Sequence, residues 1–446
     1  MSSDPTVSNP SRLRGDIASA YLVAGTRIIS WLVVSALIFR RLGAESFAIF
    51  ALIRGTIGLL NYVSLGLSPA LIHFGAHRDN KSSSLQSYYS SAMAVIGAGA
   101  LFGLLATSIY ALNFARLLRV PQAEPMIPAL VLLMGGGMLA RLAGDAPGAI
   151  LQVSHRISLD NLLIAAGDFL WTILSILAVL LPRPLAAIAL AYLVSMLLPL
   201  AIRIAIAHRM TGGISLRLVR RDLMALLLSY GGMVVLAQLA DYLYAPTDYI
   251  LINRLLDPVS VAAYAPAVQI DAGLLLLVVA VSAALLPHAA HAHASGSGQL
   301  VRRYYVTGTL GSAGILLVCS VVVWLIAPLL LKLWLGQPLP QTVRILPLVL
   351  LNTIIGGSAS IGRSILLAVG RAKPFAVAAL IAGVVNVIAS YCFVRFAHLG
   401  LEGIVLGTVV AVVGRCVIWM PWYVLRTIRL TPIAIPETMP FDAPID

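Results

Sequence analysis

Five arginines interrupt long apolar stretches of this 446-residue chain: Arg27, Arg54, Arg141, Arg363 and Arg415. A charged side chain in the middle of a hydrocarbon layer costs at least roughly 2.5–3.5 kcal/mol, so such residues face a charged partner or a water-filled cavity. The guanidinium group is planar and donates hydrogen bonds in a fork that fits phosphate oxygens. The five arginines are therefore candidate ligands for an anionic molecule that carries phosphate.

Arg54 belongs to a polar helix face. Arg54, Gly58 and Asn61 are spaced i, i+4 and i+7, which places them on one side of a helix. That side offers a charge, space beside it and an amide that can bond a hydroxyl group. Arg54 is the first candidate for lining a cavity, and Arg27, Arg363 and Arg415 come after it.

Five aspartates lie within or near the same stretches: Asp145, Asp168, Asp241, Asp248 and Asp271. They equal the arginines in number, so the sequence alone does not establish a cationic cavity. Arg141 and Asp145 are spaced i, i+4, which is typical of a structural charge pair. Asp241 and Asp248 share one helix face and, like Asp168, either bind a coupling cation or neutralise arginines. Asp248 also lies near the end of its stretch, where it can be interfacial.

Histidine and cysteine positions do not indicate a metal site. His288, His291 and His293 form the run HAAHAH with no carboxylate or cysteine beside them, which is typical of a solvated connection. The three cysteines are far apart in apolar stretches. The GGSASIG run at residues 356–362 lacks the lysine and the strand of a phosphate-binding loop. We therefore predict no metal and no cofactor.

The elements that hold these residues are predicted to be membrane-spanning helices. Hydrophobic residues make up 60% of the chain and charged residues only 11%, whereas soluble domains have about 25% charged residues. A spanning helix needs about 20 mostly apolar residues. The sequence therefore predicts an all-α polytopic membrane protein whose twelve spans are residues 17–39, 47–70, 88–112, 126–149, 161–181, 184–207, 223–250, 262–287, 305–331, 343–369, 375–394 and 402–425.

Basic residues predict the orientation, because they accumulate in cytoplasmic connections. With the N-terminus in the cytoplasm, sixteen Lys and Arg residues fall inside, Arg203 among them, and nine fall outside. Both termini are thus predicted to be cytoplasmic. The same rule accounts for the net charge of +13 without a nucleic-acid partner.

The predicted organisation has two six-helix lobes joined by a basic cytoplasmic linker. Its parts are an N-terminal tail at 1–16, the N-lobe at 17–208, the linker at 209–222, the C-lobe at 223–429 and a disordered tail at 430–446.

A repeat supports the two lobes. SPALIHFGAH at 68–77 and SAALLPHAAH at 282–291 agree at five of ten positions, and PLAAIALAYL at 184–193 resembles GLEGIVLGTV at 400–409. Arg156 and Arg371 precede spans five and eleven at an offset of 215. Any single match in apolar sequence can arise by chance, but a nearly constant offset indicates a duplicated unit. An even number of spans per unit predicts a parallel repeat, with substrate bound between the halves.

Several longer stretches together resemble bacterial polysaccharide exporters. They are RLGAESFAIFALIRGTIGLLNYVSLGLSPALIHFGA, DYILINRLLDPVSVAAYAPAVQI, LLLKLWLGQPLPQTVRILPLVLL, GRAKPFAVAALIAGVVNVIA and GLEGIVLGTVVA. On these motifs the chain resembles lipid-linked oligosaccharide flippases of the Wzx type. These flippases belong to the MOP superfamily, together with the lipid II flippase and the MATE drug exporters.

The resemblance implies a V-shaped pair of six-helix bundles with alternating access, related by a pseudo-twofold axis along the membrane normal. It implies that an undecaprenyl-diphosphate-linked oligosaccharide is moved from the cytoplasmic to the periplasmic leaflet of the bacterial inner membrane. Lipid II flippases carry cavity arginines in their first two helices, which points to Arg27 and Arg54. The implied partners are this substrate, membrane lipids and a polysaccharide polymerase or export complex, with the protein itself a monomer.

Three other functions compete with this interpretation. A glycosyl polymerase or ligase needs an acid, base or metal site on a long external loop, and every external connection here is short, so we predict no enzyme activity. A MATE-like, cation-coupled antiporter of drugs or small molecules would favour acidic residues; the five arginines argue against it, while the five aspartates keep it open. A purely structural subunit would not need the internal repeat.

Overall fold

The computed structural model describes residues 10–58, 60, 67–76, 84–119, 126–229, 244–294, 297–369 and 371–430, and every regular element in these ranges is helical. The first group of helices, here called the N-bundle, comprises α1 (Pro10–Ile57), α2 (Leu67–Ala76), α3 (Leu85–Leu117), α4 (Ile127–Ala143), α5 (Asp145–Val153), α6 (Ile157–Ala178) and α7 (Pro184–Thr211). A short 3₁₀ turn at Leu216–Leu218 follows.

The remaining helices form the C-bundle. They are α8 (residues 221–229), α9 (Ala245–Leu255), α10 (Pro258–Ala294), α11 (Gly298–Leu335), α12 (Pro340–Ser358), α13 (Ser360–Ala368), α14 (Ala372–Arg395), α15 (Gly400–Val412), a π-helical turn at Val413–Trp419 and α16 (Met420–Leu430). The all-α polytopic fold predicted from the sequence is confirmed.

Ten helices of the described residues are long and apolar enough to cross a membrane, whereas the sequence predicts twelve spans. Predicted span one (17–39) lies in α1, and predicted span two (47–70) begins in the same helix and ends in α2 (Leu67–Ala76). The helix α1 is interrupted at Gly43. Gly43 has φ 87° and ψ 172°, a left-handed conformation that a glycine adopts without a Cβ penalty. The predicted seventh span includes residues 230–243, which lie outside the described ranges.

Apolar side chains cover the outside of both bundles as well as the inside. Leu101, Phe102 and Leu112 on α3 are 69–76% exposed, and Leu325 and Leu333 on α11 are 67–68% exposed. An extended apolar surface of this kind is stable in contact with lipid and not with water. The exposed faces of α3 and α11 therefore fit the bilayer.

The internal repeat is visible in the backbone. The α4–α5 junction at Gly144 (φ −71°, ψ −10°) recurs 215 residues later at Ala359 (φ −68°, ψ −14°), between α12 and α13. Arg156, just before α6, has φ −114° and ψ 42°, and Arg371, just before α14, has φ −101° and ψ 42°. The backbone N–H of Arg156 donates to Leu151 O at 2.8 Å. That of Arg371 donates to Leu366 O at 2.7 Å, so the two corners have the same local structure.

The two bundles meet through α1, which packs against α6 of its own bundle and against α9, α10 and α11 of the other. Asp16, near the start of α1, accepts a hydrogen bond from the Ser158 hydroxyl at the start of α6 (2.5 Å). We call this end of the helices the N-terminal face. The opposite end, about 36 Å farther along α1 at Arg40, is the distal face.

Hydrogen bonds join the bundles near the distal face. The Arg40 Nε donates to Trp334 O (3.0 Å), and the indole of Trp334 donates to Leu32 O (2.8 Å). At the end of α3, the Arg119 N–H donates to Asn253 Oδ1 (2.8 Å), while Asn253 Nδ2 donates to Arg119 O (2.9 Å). The bundles are therefore held together at this face.

Candidate functional site

The N-bundle holds a compact group of charges around Asp168 of α6. The Asp168 carboxylate, 2% exposed, lies 3.5 Å from Arg27 Nε of α1 and 3.3 Å from Arg141 Nη1 of α4. The Ser30 hydroxyl donates to the backbone oxygen of Asp168 at 2.9 Å and fixes α1 against α6. Two arginines thus share one carboxylate. The spacing argument paired Arg141 with Asp145, whereas the structure places it in contact with Asp168.

The guanidinium group of Arg54 contacts an aromatic cluster. Its Cζ atom is 3.4 Å from the ring centroid of Trp31, whose ring packs edge-on against Trp171 at 4.4 Å. A cation–π contact stabilises a guanidinium without cancelling its charge. Within the described part of the chain, no carboxylate lies within 4.0 Å of the Arg54 side chain.

Arg54 is also at the junction of the bundles. A Cβ atom at the neighbouring Gly55 would lie 2.7 Å from Cδ2 of Tyr249 on α9, so only glycine allows α1 and α9 to approach this closely. Gly58 is half-buried. Asn61, the third member of the predicted polar face, lies outside the described residues.

The C-bundle contains a cavity of about 380 Å³. Arg363 of α13 and Arg415 of the π-helical turn both line it, together with Asp248, Asp271 and the ring of Phe375. The Cζ atoms of Arg363 and Arg415 are 5.5 Å and 5.9 Å from the Phe375 centroid, and Arg415 is also 4.9 Å from the Tyr244 centroid. Two of the predicted arginines are thus brought to one cavity around one aromatic ring.

Neutral hydrogen-bond donors surround Asp248, which is fully buried. It accepts from the hydroxyl of Tyr264 (2.9 Å), from Asn386 Nδ2 (3.0 Å) and from the hydroxyl of Thr408 (2.9 Å). Thr408 Oγ1 is also 3.0 Å from Asn386 Oδ1, and its single proton can serve only one of the two acceptors at a time. Asp248 is therefore part of a polar network inside the bundle and is not interfacial.

Asp271 of α10 lies on the same cavity and accepts a hydrogen bond from the Thr353 hydroxyl at 2.5 Å. No Lys, Arg or His side chain of the described residues lies within 4.0 Å of the carboxylate of Asp248 or Asp271. Asp248 and Asp271 are thus stabilised by neutral hydrogen-bond donors, in contrast to Asp168, which contacts two arginines. Asp241 lies outside the described residues.

A buried ion pair in the N-bundle was missed by the sequence analysis. Arg203 Nη2 of α7 is 2.6 Å from Asp160 Oδ1 of α6, with side chains 8% and 0% exposed. Gln152 Nε2 donates to the other carboxylate oxygen of Asp160 at 2.8 Å. Counting Arg203 as a cytoplasmic loop residue was therefore wrong. Its position just inside the predicted end of span six gave no signal of burial.

Tyr264, Asn386 and Thr408 were also missed as site residues, because a single neutral polar residue in an apolar span shows no periodic pattern. Among the described residues, no group of three or more His, Cys, Asp or Glu side chains is arranged to hold a metal ion. The side chains of His288, His291 and His293 lie outside the described part of the chain.

Comparison with family models identifies the family of the chain. The model described as polysaccharide biosynthesis protein matches residues 14–293, which is more than half of the chain. The chain belongs to the polysaccharide biosynthesis protein family. A second model, MatE, matches residues 234–392 of this family member.

Solved structures share the fold of this family member. A multidrug resistance MATE family transporter of the MOP superfamily in its inward-facing conformation matches with TM-score 0.77 and 16% identity, over 93% of this chain and 100% of that one. The lipid II flippase MurJ in an inward closed conformation matches with TM-score 0.72 and 15% identity, over 94% and 88%.

An outward-facing MATE family transporter matches with TM-score 0.68 and 16% identity, over 94% of this chain and 95% of that one. No curated protein matches the chain in a sequence comparison. The resemblance of the fold to MOP superfamily transporters is confirmed, and the structural neighbours named above are transporters or flippases.

Proposed function

We propose that this protein flips an undecaprenyl-diphosphate-linked oligosaccharide from the cytoplasmic to the periplasmic leaflet of a bacterial inner membrane. The observation that carries the proposal is the pair of arginines, Arg363 and Arg415, that lines one cavity around Phe375. A diphosphate is a dianion, and two guanidinium groups can bond both of its phosphates. The family match supports a polysaccharide-related cargo.

Arg54 provides the second contact for the cargo at the bundle junction. Its charge is held by Trp31 and is not cancelled by a carboxylate within 4.0 Å among the described residues. A rocking motion between the two bundles changes the surroundings of a residue at their junction more than those of a residue inside either bundle. Arg54 is therefore suited to exchange the diphosphate between the N-terminal and the distal face.

The membrane potential assists this movement in our proposal. Carrying a dianion outward, with the cell interior negative, gains roughly 4–5 kcal/mol at about 100 mV if its counterions stay behind. The arginines remain with the protein and supply the positive charge only during transit. If flipping is unchanged when the potential is dissipated with a potassium ionophore, this part of the proposal fails and another driving force must act.

Mass spectrometry of extracted lipids tests the function. In a strain that lacks this protein, we expect the completed undecaprenyl-diphosphate-linked repeat unit to accumulate. Arg54→Ala, Arg363→Ala and Arg415→Ala should each fail to reverse the accumulation. A charge-assisted hydrogen bond contributes about 1.5–3 kcal/mol, so each variant should weaken cargo binding about 10- to 100-fold.

Arg344→Ala is the matched control, because it removes an arginine that is 75% exposed and pairs with Glu402 away from the cavity. It should restore flipping as well as the wild type. Accumulation in the deletion strain with full rescue by all three variants would keep the flippase and remove the arginines from its mechanism. Absence of accumulation would reject the flippase.

A cation-coupled antiporter is the second candidate, and the MatE match over residues 234–392 favours it. That segment contains Asp248, whose carboxylate lies 2.9 Å from the hydroxyl oxygens of Tyr264 and Thr408, and oxygen atoms are the ligands that hard cations prefer. We propose Asp248 as the coupling residue in either function. Altered drug susceptibility in the deletion strain, without lipid accumulation, would favour the antiporter.

A further inference from the structure

A second cavity of the C-bundle opens on its outer surface, between α14 and the π-helical turn with α16. It has a volume of about 610 Å³, and Val377, Ile381, Trp419, Trp422 and Arg415 are among the residues that line it. We call it the α14 groove. Val377, Ile381 and Trp422 are 52%, 61% and 55% exposed, so the groove faces the surroundings of the protein and not its core.

The groove has one polar end and an apolar body. Lys373 lines it at the start of α14, in the same region as the stacked rings of Trp419 and Tyr423, 4.9 Å apart. Basic and aromatic side chains are enriched where a membrane protein meets the headgroup layer. The rest of the lining is mainly aliphatic. This polarity matches a lipid with an anionic headgroup and an apolar chain.

Arg415 lies between the groove and the inner cavity, because it is among the residues that line each of them. It lies in the π-helical turn Val413–Trp419, the one π-helical segment of the described residues. Such a turn inserts an extra residue into a helix and is frequently found at functional sites. The wall between the inner cavity and the lipid-facing groove is therefore formed in part by this cationic residue, Arg415.

A protein that flips a lipid must move the headgroup through a polar space while the chain remains in hydrocarbon. The headgroup cavity must therefore border a lipid-facing surface at some point along its wall. Arg415 marks such a point, with a cavity that contains Arg363 on one side and an apolar groove on the other.

We propose that the α14 groove binds the polyprenyl chain of the lipid-linked substrate, with the diphosphate at Arg415, where it passes into the inner cavity. The inference rests on the proposed flippase function and adds the route of the lipid chain. The groove is a loading site on the N-terminal face, where Lys373 meets the lipid phosphates. On the inner side, the Phe375 ring centroid lies 5.9 Å from the Cζ atom of Arg415 and 5.5 Å from that of Arg363.

Gly414 allows the groove to be filled without changing Arg415. It lines the groove, and a Cβ atom added there meets no described atom within 4 Å. Gly414→Leu therefore places an apolar side chain in the space where we expect the polyprenyl chain, and leucine favours a helix more than glycine does. Gly311→Leu is the matched control, because Gly311 lies on exposed α11 with the same free space.

The binding probe is an undecaprenyl diphosphate that carries a photoreactive diazirine in its chain, added to the full-length protein in vesicles of phosphatidylethanolamine and phosphatidylglycerol. We expect labelling to map to α14 and the π-helical turn. Exclusion of two methylene groups from a buried site corresponds to about tenfold in affinity, so Gly414→Leu should reduce labelling by about that factor. Gly311→Leu should label as the wild type does.

A second pair of variants tests whether a loss of labelling arises from filling the groove or from misfolding. Ile381→Trp fills the groove from α14, whereas Ile388→Trp adds the same ring about 10 Å farther along that helix, at a side chain that is 58% exposed. Reduced labelling in Gly414→Leu and Ile381→Trp, with both controls at wild-type level, would support the proposal. Equal labelling in all four variants would overturn it.

Three further outcomes separate the sources of failure. If diazirine-labelled phosphatidylglycerol labels the groove as strongly as the undecaprenyl diphosphate probe does, and if Gly414→Leu reduces both labels equally, the groove is a phospholipid site and the proposal is overturned. If the Gly414→Leu variant, expressed in the deletion strain, still prevents accumulation of the lipid-linked oligosaccharide, the proposed flippase function is retained and the groove is not the route of the lipid chain. If the deletion strain never accumulates this lipid, the proposed function itself is rejected.

Discussion

At the corner between α5 and α6 of the N-bundle, Asp160 and Arg203 form a buried ion pair 2.6 Å apart, packed against Gly148. At the corresponding corner of the C-bundle, 215 residues later, Phe375 takes the position of Asp160 and Arg363 takes that of Gly148. The backbones of the two corners agree closely. Only the side chains differ, and they differ in charge and volume.

The difference changes the space that each bundle encloses. Beside Arg203 and Arg141 the N-bundle leaves a cavity of about 20 Å³, enough for little more than one water molecule. Beside Arg363 and Phe375 the C-bundle leaves about 380 Å³. Arginine therefore serves two purposes in one repeated framework. In the N-bundle, Arg203 pairs with the Asp160 carboxylate and fills the space between the helices. In the C-bundle, Arg363 borders a space that can hold a ligand.

Removal of one partner of the N-bundle pair should have the largest effect on stability. Asp160→Ala leaves Arg203 buried without its carboxylate, and breaking a buried pair in this way costs about 3–5 kcal/mol. We expect a clearly lower thermal unfolding midpoint of the purified protein in detergent, together with poor recovery from membranes. Tryptophan fluorescence during heating measures the midpoint.

The control for that measurement is Glu402→Ala, which breaks the exposed pair with Arg344. Exposed pairs contribute about 0–1 kcal/mol, so this midpoint should move little. An Asp160→Ala midpoint equal to that of Glu402→Ala would contradict a structural role for the buried pair.

The reciprocal change gives the C-bundle corner a carboxylate at the position that corresponds to Asp160. Phe375→Asp places a carboxylate between Arg363 and Arg415, as Asp160 is placed beside Arg203. The carboxylate would compete with phosphate for both guanidinium groups, and the loss of a charged hydrogen bond of about 1.5–3 kcal/mol corresponds to about 10- to 100-fold weaker cargo binding. Lipid accumulation in a complemented deletion strain reports this loss.

Phe375→Leu is the matched control, because it removes the ring and adds no charge. The cation–π contacts that it removes contribute about 0.5–2 kcal/mol, so its loss of flipping should be smaller. If both variants flip lipid at the wild-type rate, the arginines around Phe375 do not bind the cargo.

The fold could be predicted from the sequence more completely than the site. The predicted span 88–112 lies inside α3 (Leu85–Leu117), and the predicted span 161–181 overlaps α6 (Ile157–Ala178). Agreement follows because bilayer thickness sets the length of an apolar run. The contact partner of a charged side chain could not be predicted in the same way, because tertiary packing selects it. Arg141 contacts Asp168, 27 residues away on another helix, and local spacing carries no information about that contact.

The smallest expected effect concerns Arg54, which neither bundle neutralises with a carboxylate among the described residues. Arg54→Lys keeps the positive charge but replaces the planar group that stacks on Trp31 at 3.4 Å. Because lysine keeps part of the attraction to the ring, we expect a loss of about 0.5–1 kcal/mol, which corresponds to about a two- to fivefold decrease in flipping rate. Arg344→Lys, at an exposed position, should have no effect on the rate. A wild-type rate for Arg54→Lys would mean that charge alone acts at the junction, and that the stacking on Trp31 does not contribute to transport.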